Sequence, residues 1–125
     1  MILFHQFFDP TSYTLSYLLA DPLTGDAVII DSVKEHVGAY VTFLQEQELQ
    51  LGWVLETHIH ADHITGAAGL RELTGARSAV GASGGVGCAD RLLSDGDTIV
   101  FGNELIRVIP TPGHTPGCVT YHWRD

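Results

Sequence analysis

Basic residues are scarce in this chain: six lysines and arginines stand against fifteen aspartates and glutamates, for a net charge of −9. That balance excludes the electrostatic footprint of a nucleic-acid binder and disfavours anionic membrane surfaces as partners. Cysteine is scarcer still. Cys88 and Cys118 are too few for the disulfide framework of a small secreted domain, so both read as buried free thiols in a reducing cytoplasm. No run of about 18 apolar residues occurs, which removes a membrane-spanning helix. Met1 to Phe8 is apolar, but it is short, lacks a basic segment and meets Asp9-Pro10, so it reads as a first strand and not as a secretion signal. No Arg-rich, acid-poor transit segment is visible, and there are no repeats, linkers or low-complexity stretches. A chain of 125 residues has room for one domain at most.

What is locally abundant is histidine. Thr57-His58-Ile59-His60-Ala61-Asp62-His63 places three imidazoles and a carboxylate within six residues. Imidazole is the commonest protein ligand of zinc, iron and related cations, and a cluster of this density is costly anywhere else. His58 and His60 are two apart, so on an extended segment they point to the same side, and Asp62 keeps that phase. If a helix starts near Asp62, His63 swings back toward the same centre. A second segment, Thr111 to Gly117 (TPGHTPG), presents His114 on a proline-bracketed loop. The two segments read as two halves of one metal site. His5, His36 and His122 lie outside these clusters and read as ordinary strand or surface residues.

The hydrophobic pattern places these loops. Ile2 to Phe8 and Tyr13 to Ala20 read as paired strands, and Ala27 to Asp31 as a buried strand. Val33 to Leu49 reads as an amphipathic helix, with Val37, Tyr40, Val41, Leu44 and Gln47 along one stripe. Leu51 to Leu55 is a buried strand leading into the histidine run, and Ile64 to Leu73 is a small-residue helix closed by Gly75. A short strand Arg77 to Val80 precedes the glycine-rich connection Gly81 to Gly87. Ser83-Gly84-Gly85 within it matches no phosphate-cradling motif. Strands then run over Thr98 to Phe101, Glu104 to Pro110 and Cys118 to Trp123. The order of strands and helices argues for an α/β sandwich with helices outside the sheet. Asp31 ends a buried strand, where its carboxylate has two possible uses: hydrogen-bonding a ligand histidine from behind, or capping the Val33 helix together with Ser32.

At these residues the chain resembles a known family. Thr57 to His63 has the His-x-His-x-Asp-His form of the metallo-β-lactamase fold superfamily. Leu55 to Gly66 (LETHIHADHITG), Thr111 to Tyr121 (TPGHTPGCVTY) and Phe7 to Leu19 (FFDPTSYTLSYLL) are most similar to the persulfide dioxygenases. Glyoxalase II-like thioester hydrolases of the same fold are the nearest alternative. The resemblance implies an αββα sandwich, of which this chain matches the N-terminal half. That half is expected as one mixed sheet with flanking helices, an incomplete 1–125 domain lacking the second layer that would bury the apolar faces. Self-association, or pairing with a complementary half, is then expected.

The resemblance also implies a chemistry: oxidation of glutathione persulfide with O2 to sulfite and glutathione at a mononuclear Fe(2+) site. His58 and His114 would be iron ligands. The family's aspartate ligand lies further along than this chain extends, and Asp125 does not align with it. In the two-metal hydrolase reading, with Zn(2+) as the alternative metal, His60 joins the first site while Asp62 and His63 serve the second. In the dioxygenase reading those three line the pocket. A third reading is a metal-binding fragment without activity of its own. The family usually follows Asp31 with proline, where this chain has Ser32.

Overall fold

The computed structural model describes residues 2–57, 65–81, 90–111 and 119–123. Strands β1 (Leu3–Asp9) and β2 (Thr14–Ala20) form a hairpin whose register pairs Leu3 with Ala20 and Asp9 with Thr14. Asp9 shapes the turn between them. Its carboxylate accepts the Ser12 hydroxyl at 2.5 Å and the amides of Ser12 and Thr11, and His36 Nε2 lies 3.0 Å away. The Ser12 hydroxyl and then His36 are the main reasons its pKa falls well below the usual carboxylate range.

Strand β3 (Asp26–Ile30) pairs antiparallel with β2, and β4 (Gln50–Leu55), β5 (Arg77–Gly81) and β6 (Arg91–Leu93) follow in parallel. The sheet order is β1-β2-β3-β4-β5-β6. Parallel strands covered on both faces carry continuous apolar runs, and Ala27, Val28, Ile29 and Ile30 are accordingly all buried. Helices α1 (Val37–Glu46) and α2 (Ala67–Thr74) supply the crossovers on either side of β4. Both lie on one face of the sheet, where Tyr40, Leu44 and Leu70 pack with Leu18, Ile29 and Val54. The start of α2 packs tightly on α1 at Gly66, where a β-carbon would lie 2.8 Å from Val37 Cγ2.

On the opposite face the structure corrects one expectation. The strands do not form one sheet but two. Strands β7 (Thr98–Phe101), β8 (Glu104–Pro110) and β9 (Val119–Trp123) make a separate antiparallel sheet. Its inward side chains Ile99, Phe101, Ile106, Val108 and Val119 share a core with Leu19, Val28, Ile30, Leu55 and Leu93 of the first sheet. A second layer is therefore present, and the αββα class stands with its helix, sheet and sheet layers in this chain. The cover is partial: Phe4, Phe8 and Leu15, on the β1–β2 part of the same inner face, are 58%, 50% and 39% exposed.

The β7–β8 hairpin fastens the layers at one point. Gly102 adopts a left-handed φ of +63°, and a β-carbon on it would lie 2.6 Å from Asp21 Oδ2. This close approach lets the next amide, Asn103, donate to Asp21 Oδ2 at 2.8 Å, the main cause of a lowered Asp21 pKa.

Three helix boundaries differ from expectation, one of them the start of α2, which comes at Ala67 and not at Ile64. The segment expected as a helix from Val33 begins as extended chain at Val33 and a 3-10 turn, Lys34–His36, before α1 starts. Its end comes earlier too, with Glu48 in the left-handed region at φ 56° and Gln47 exposed. The α2 ending is as expected: Gly75 takes φ +75° and its amide donates to Arg71. Strand β6 had no sequence signal, since Arg91–Leu93 spans only three residues. Among the described residues no helix is long and apolar enough to cross a membrane.

Candidate metal centre

The carboxyl ends of parallel strands are where open α/β sheets place their sites, and β3 and β4 end side by side, with Ile30 opposite Leu55. Asp31 follows Ile30 directly and is one of three non-glycine residues with positive φ among the described residues, at 58°. Its amide donates to the Leu55 carbonyl at 2.8 Å. The left-handed turn aims its carboxylate across at Thr57. The Thr57 amide donates to Oδ1 at 2.7 Å, and the Thr57 hydroxyl donates to Oδ2 at 2.6 Å. This settles one of the two readings of Asp31 against the cap, because neither the 3-10 turn nor α1 has a side-chain cap. Asp31 holds the residue just before His58.

Ser32 does the corresponding work at the other end. Its hydroxyl accepts the Gly66 amide at 3.1 Å, and its carbonyl lies 3.3 Å from the same nitrogen. Two adjacent residues at the end of β3 thus hold both flanks of the segment 58–64. A proline at position 32 would have no hydroxyl for the side-chain bond.

The second loop is fastened to the first at the same place. The Val119 amide donates to the Thr57 carbonyl at 2.7 Å, and the Tyr121 hydroxyl donates to the Glu56 carbonyl at 2.5 Å. The Thr111 and Thr120 hydroxyls lie 3.1 Å apart across the base of that loop. Burial, reinforced by the nearby carboxylates of Asp31 and Glu56, raises the Tyr121 pKa far above the usual tyrosine value. Its phenol therefore stays protonated and serves as a donor. Glu56 itself is buried, at 6% exposure.

His58, His60, Asp62, His63 and His114 lie outside the described residues, as do Cys88, Cys118 and Asp125. Among the described residues no group of three or more His, Cys, Asp or Glu side chains could hold a metal. The donors expected to do so belong to segments 58–64 and 112–118, whose bases Thr57 and Val119 bring within one hydrogen bond. The remaining histidines occupy places of other kinds. His5 on β1 stacks on Phe43 at 4.4 Å between ring centroids, His36 pairs with Asp9, and His122 is an exposed residue of β9. Sequence reasoning missed the roles of Thr57, Ser32 and Tyr121. Their polar side chains beside the two loops were the available signal.

Comparison with known proteins gives the family. The metallo-beta-lactamase superfamily matches residues 9–125. The human protein "Persulfide dioxygenase ETHE1, mitochondrial" is 42% identical over 125 residues, which cover 99% of this chain and 49% of that protein. A hydroxyacylglutathione hydrolase from Cereibacter sphaeroides is 37% identical over 112 residues, covering 88% of this chain and 43% of the relative. Among solved structures, ETHE1 from Myxococcus xanthus superposes with a TM-score of 0.93 at 39% identity, over 97% of this chain and 53% of that one. The chain spans about half the length of the curated relatives it matches.

Proposed function

The chain belongs to the metallo-beta-lactamase superfamily, and from that premise we propose that it carries the metal-binding loops of a persulfide dioxygenase. In this reading His58 and His114 hold a ferrous ion, while His60, Asp62 and His63 line the pocket beside it. The donor set fits such a group. Its ligands in this chain are two imidazole nitrogens, which suit Fe(2+) and Zn(2+) alike. Bound there, ferrous iron would supply the redox chemistry that makes dioxygen reactive toward a persulfide sulfur. The overall conversion takes glutathione persulfide, O2 and water to glutathione, sulfite and two protons.

The chain's own residues contribute position. Asp31 and Ser32 hold the flanks of the first loop, and Val119 and Tyr121 tie the second loop to residues 56 and 57. A site held within tenths of an ångström is what oriented catalysis requires. The single observation that carries the reading is the Val119 to Thr57 hydrogen bond, which joins the bases of two loops 57 to 119 in the chain. The similarity to persulfide dioxygenases supports the choice of reaction. Two cysteines in 125 residues suit a reducing compartment such as the cytoplasm, while the human relative's name places that protein in mitochondria.

The hydroxyacylglutathione hydrolase relative favours a second reading. There two metals, with Zn(2+) as the natural choice, would be held by His58, His60 and His114 on one side and by Asp62 and His63 on the other, and a glutathione thioester would be hydrolysed. One experiment separates the two. The protein is loaded anaerobically with iron or with zinc, then given glutathione persulfide or S-lactoylglutathione. Oxygen uptake with the persulfide supports the dioxygenase reading. Thioester cleavage without oxygen uptake overturns it in favour of the hydrolase.

A further inference from the structure

Asp31 and Ser32 can hold the first histidine loop only if the backbone carrying them is itself fixed, and the left-handed conformation of Asp31, which aspartate adopts more readily than most residues, still needs its diverted backbone groups paired. The support comes from two hydroxyls buried between β2 and α1. Ser16 and Tyr40 are each 1% exposed. The Ser16 hydroxyl donates to the Asp31 carbonyl at 2.6 Å, and the Tyr40 oxygen accepts the Val33 amide at 3.0 Å. The two hydroxyl oxygens are 3.2 Å apart. Ser16 has one proton and spends it on Asp31, so the link between the hydroxyls runs from Tyr40 to Ser16. The result is a continuous chain: Val33 N–H to Tyr40 Oη, Tyr40 O–H to Ser16 Oγ, Ser16 O–H to the Asp31 carbonyl.

This chain closes around the dipeptide 31–32 from behind. It satisfies the carbonyl and the amide that the left-handed kink diverts from regular pairing, and a buried backbone group without a partner is costly. The side chains of the clamped residues reach Thr57 and Gly66. We propose that Ser16 and Tyr40 are positioning residues for the metal loop 58–64, setting its metal affinity through the 31–32 backbone. The inference rests on the metal-binding reading above and adds to it a determinant in a different part of the fold.

The test uses the full chain and cobalt(II) as a visible-absorbing probe of the site. Tyr40→Phe keeps the ring in the core and removes only the hydroxyl, and Ser16→Ala removes the other. Leu44→Ala serves as the control, since Leu44 lies in the same helix-side core but makes no part of the clamp. Each clamp variant is expected to weaken cobalt binding by about tenfold or more, the scale seen when partners behind metal ligands are removed. Their combination is expected to be less than additive, because the hydroxyls act as one chain. The Thr57 and Gly66 amide protons should also exchange faster in Tyr40→Phe, with or without metal.

Leu44→Ala should lower thermal stability while leaving cobalt affinity within about threefold of wild type. Wild-type affinity and wild-type exchange in both clamp variants would overturn the inference, as would an equal loss of affinity in Leu44→Ala. If Ser16→Ala does not fold, Tyr40→Phe decides alone. Absence of any cobalt absorption from the wild-type chain is a distinct outcome: it sinks the metal reading itself, and the clamp proposal with it.

Discussion

Replacing Thr57 by valine tests the junction on which the site depends. Valine matches threonine in shape and keeps the backbone amide that donates to Asp31 Oδ1 at 2.7 Å and the carbonyl that accepts from Val119 at 2.7 Å. It removes only the hydroxyl that donates to Asp31 Oδ2 at 2.6 Å. A hydrogen bond to a charged acceptor contributes about 1.5–3 kcal/mol, and the partner here is a carboxylate at only 7% exposure. A loss of about 2 kcal/mol is therefore expected. With urea m-values of about 1–3 kcal/mol per molar, the unfolding midpoint should fall by roughly 1 M, followed by the fluorescence of Trp53 and Trp123. Thr57→Ser restores the donor and should recover most of the difference. An unchanged midpoint in Thr57→Val would show that the threonine–carboxylate pair is not a stabilising tie, and the account of how the first loop is anchored would fail.

The other predictions concern the layer junction, the acid limb and the second loop. Gly102→Ala forces a β-substituted residue into the left-handed region, which costs about 1–2 kcal/mol from the backbone alone, and sets its β-carbon 2.6 Å from Asp21 Oδ2; thermal unfolding should show a lower Tm than any exposed Gly→Ala control such as Gly38→Ala. The carboxyls of Asp9, Asp21 and Asp90 all have folded-state pKa values below the ordinary 3.8. Such groups contribute stability that is complete above the unfolded value and is lost as pH falls through the folded one. Stability should accordingly decline below about pH 5, and Asp9→Asn should be less stable near neutrality yet less sensitive to acid, measured by urea midpoints across pH. Tyr121→Phe deletes the donor to the Glu56 carbonyl, for an expected loss of about 0.5–1.5 kcal/mol; it should also remove one phenol from the latest phase of an alkaline absorbance titration. An unchanged late phase would refute the buried assignment.

Much of this protein was legible because the relevant signals are local. The density of imidazole and carboxylate in residues 58–63, and the proline-bracketed His114, are the sequence's reading of a metal site, and they lie outside the described residues. The short apolar segment that meets Asp9-Pro10, the continuous apolar run of β3 and the glycine after α2 mark elements whose character or ending each segment carries in itself. Even the β7–β8 turn at Gly102-Asn103 could be located from its residues, although what Gly102 packs against could not.

What the amino-acid order determined alone, then, was the element list except β6, and the family that its two histidine segments resemble. Which strands pair with which was decided only by the tertiary structure. An amphipathic strand such as β7 buries one face equally well beside β6 or across from it, so its residues could not tell one sheet from two. The use of Asp31 was open for the same reason. A carboxylate at the end of a strand can cap the next helix or reach sideways, and the choice fell to Thr57, a partner 26 residues away. Ser16 carried no signal, Tyr40 read as part of a helix stripe and Ser32 as a helix cap, until folding set their hydroxyls at one kinked dipeptide. Hydrogen bonds between distant segments leave no periodic trace, because their energy depends on a meeting that only the folded chain creates.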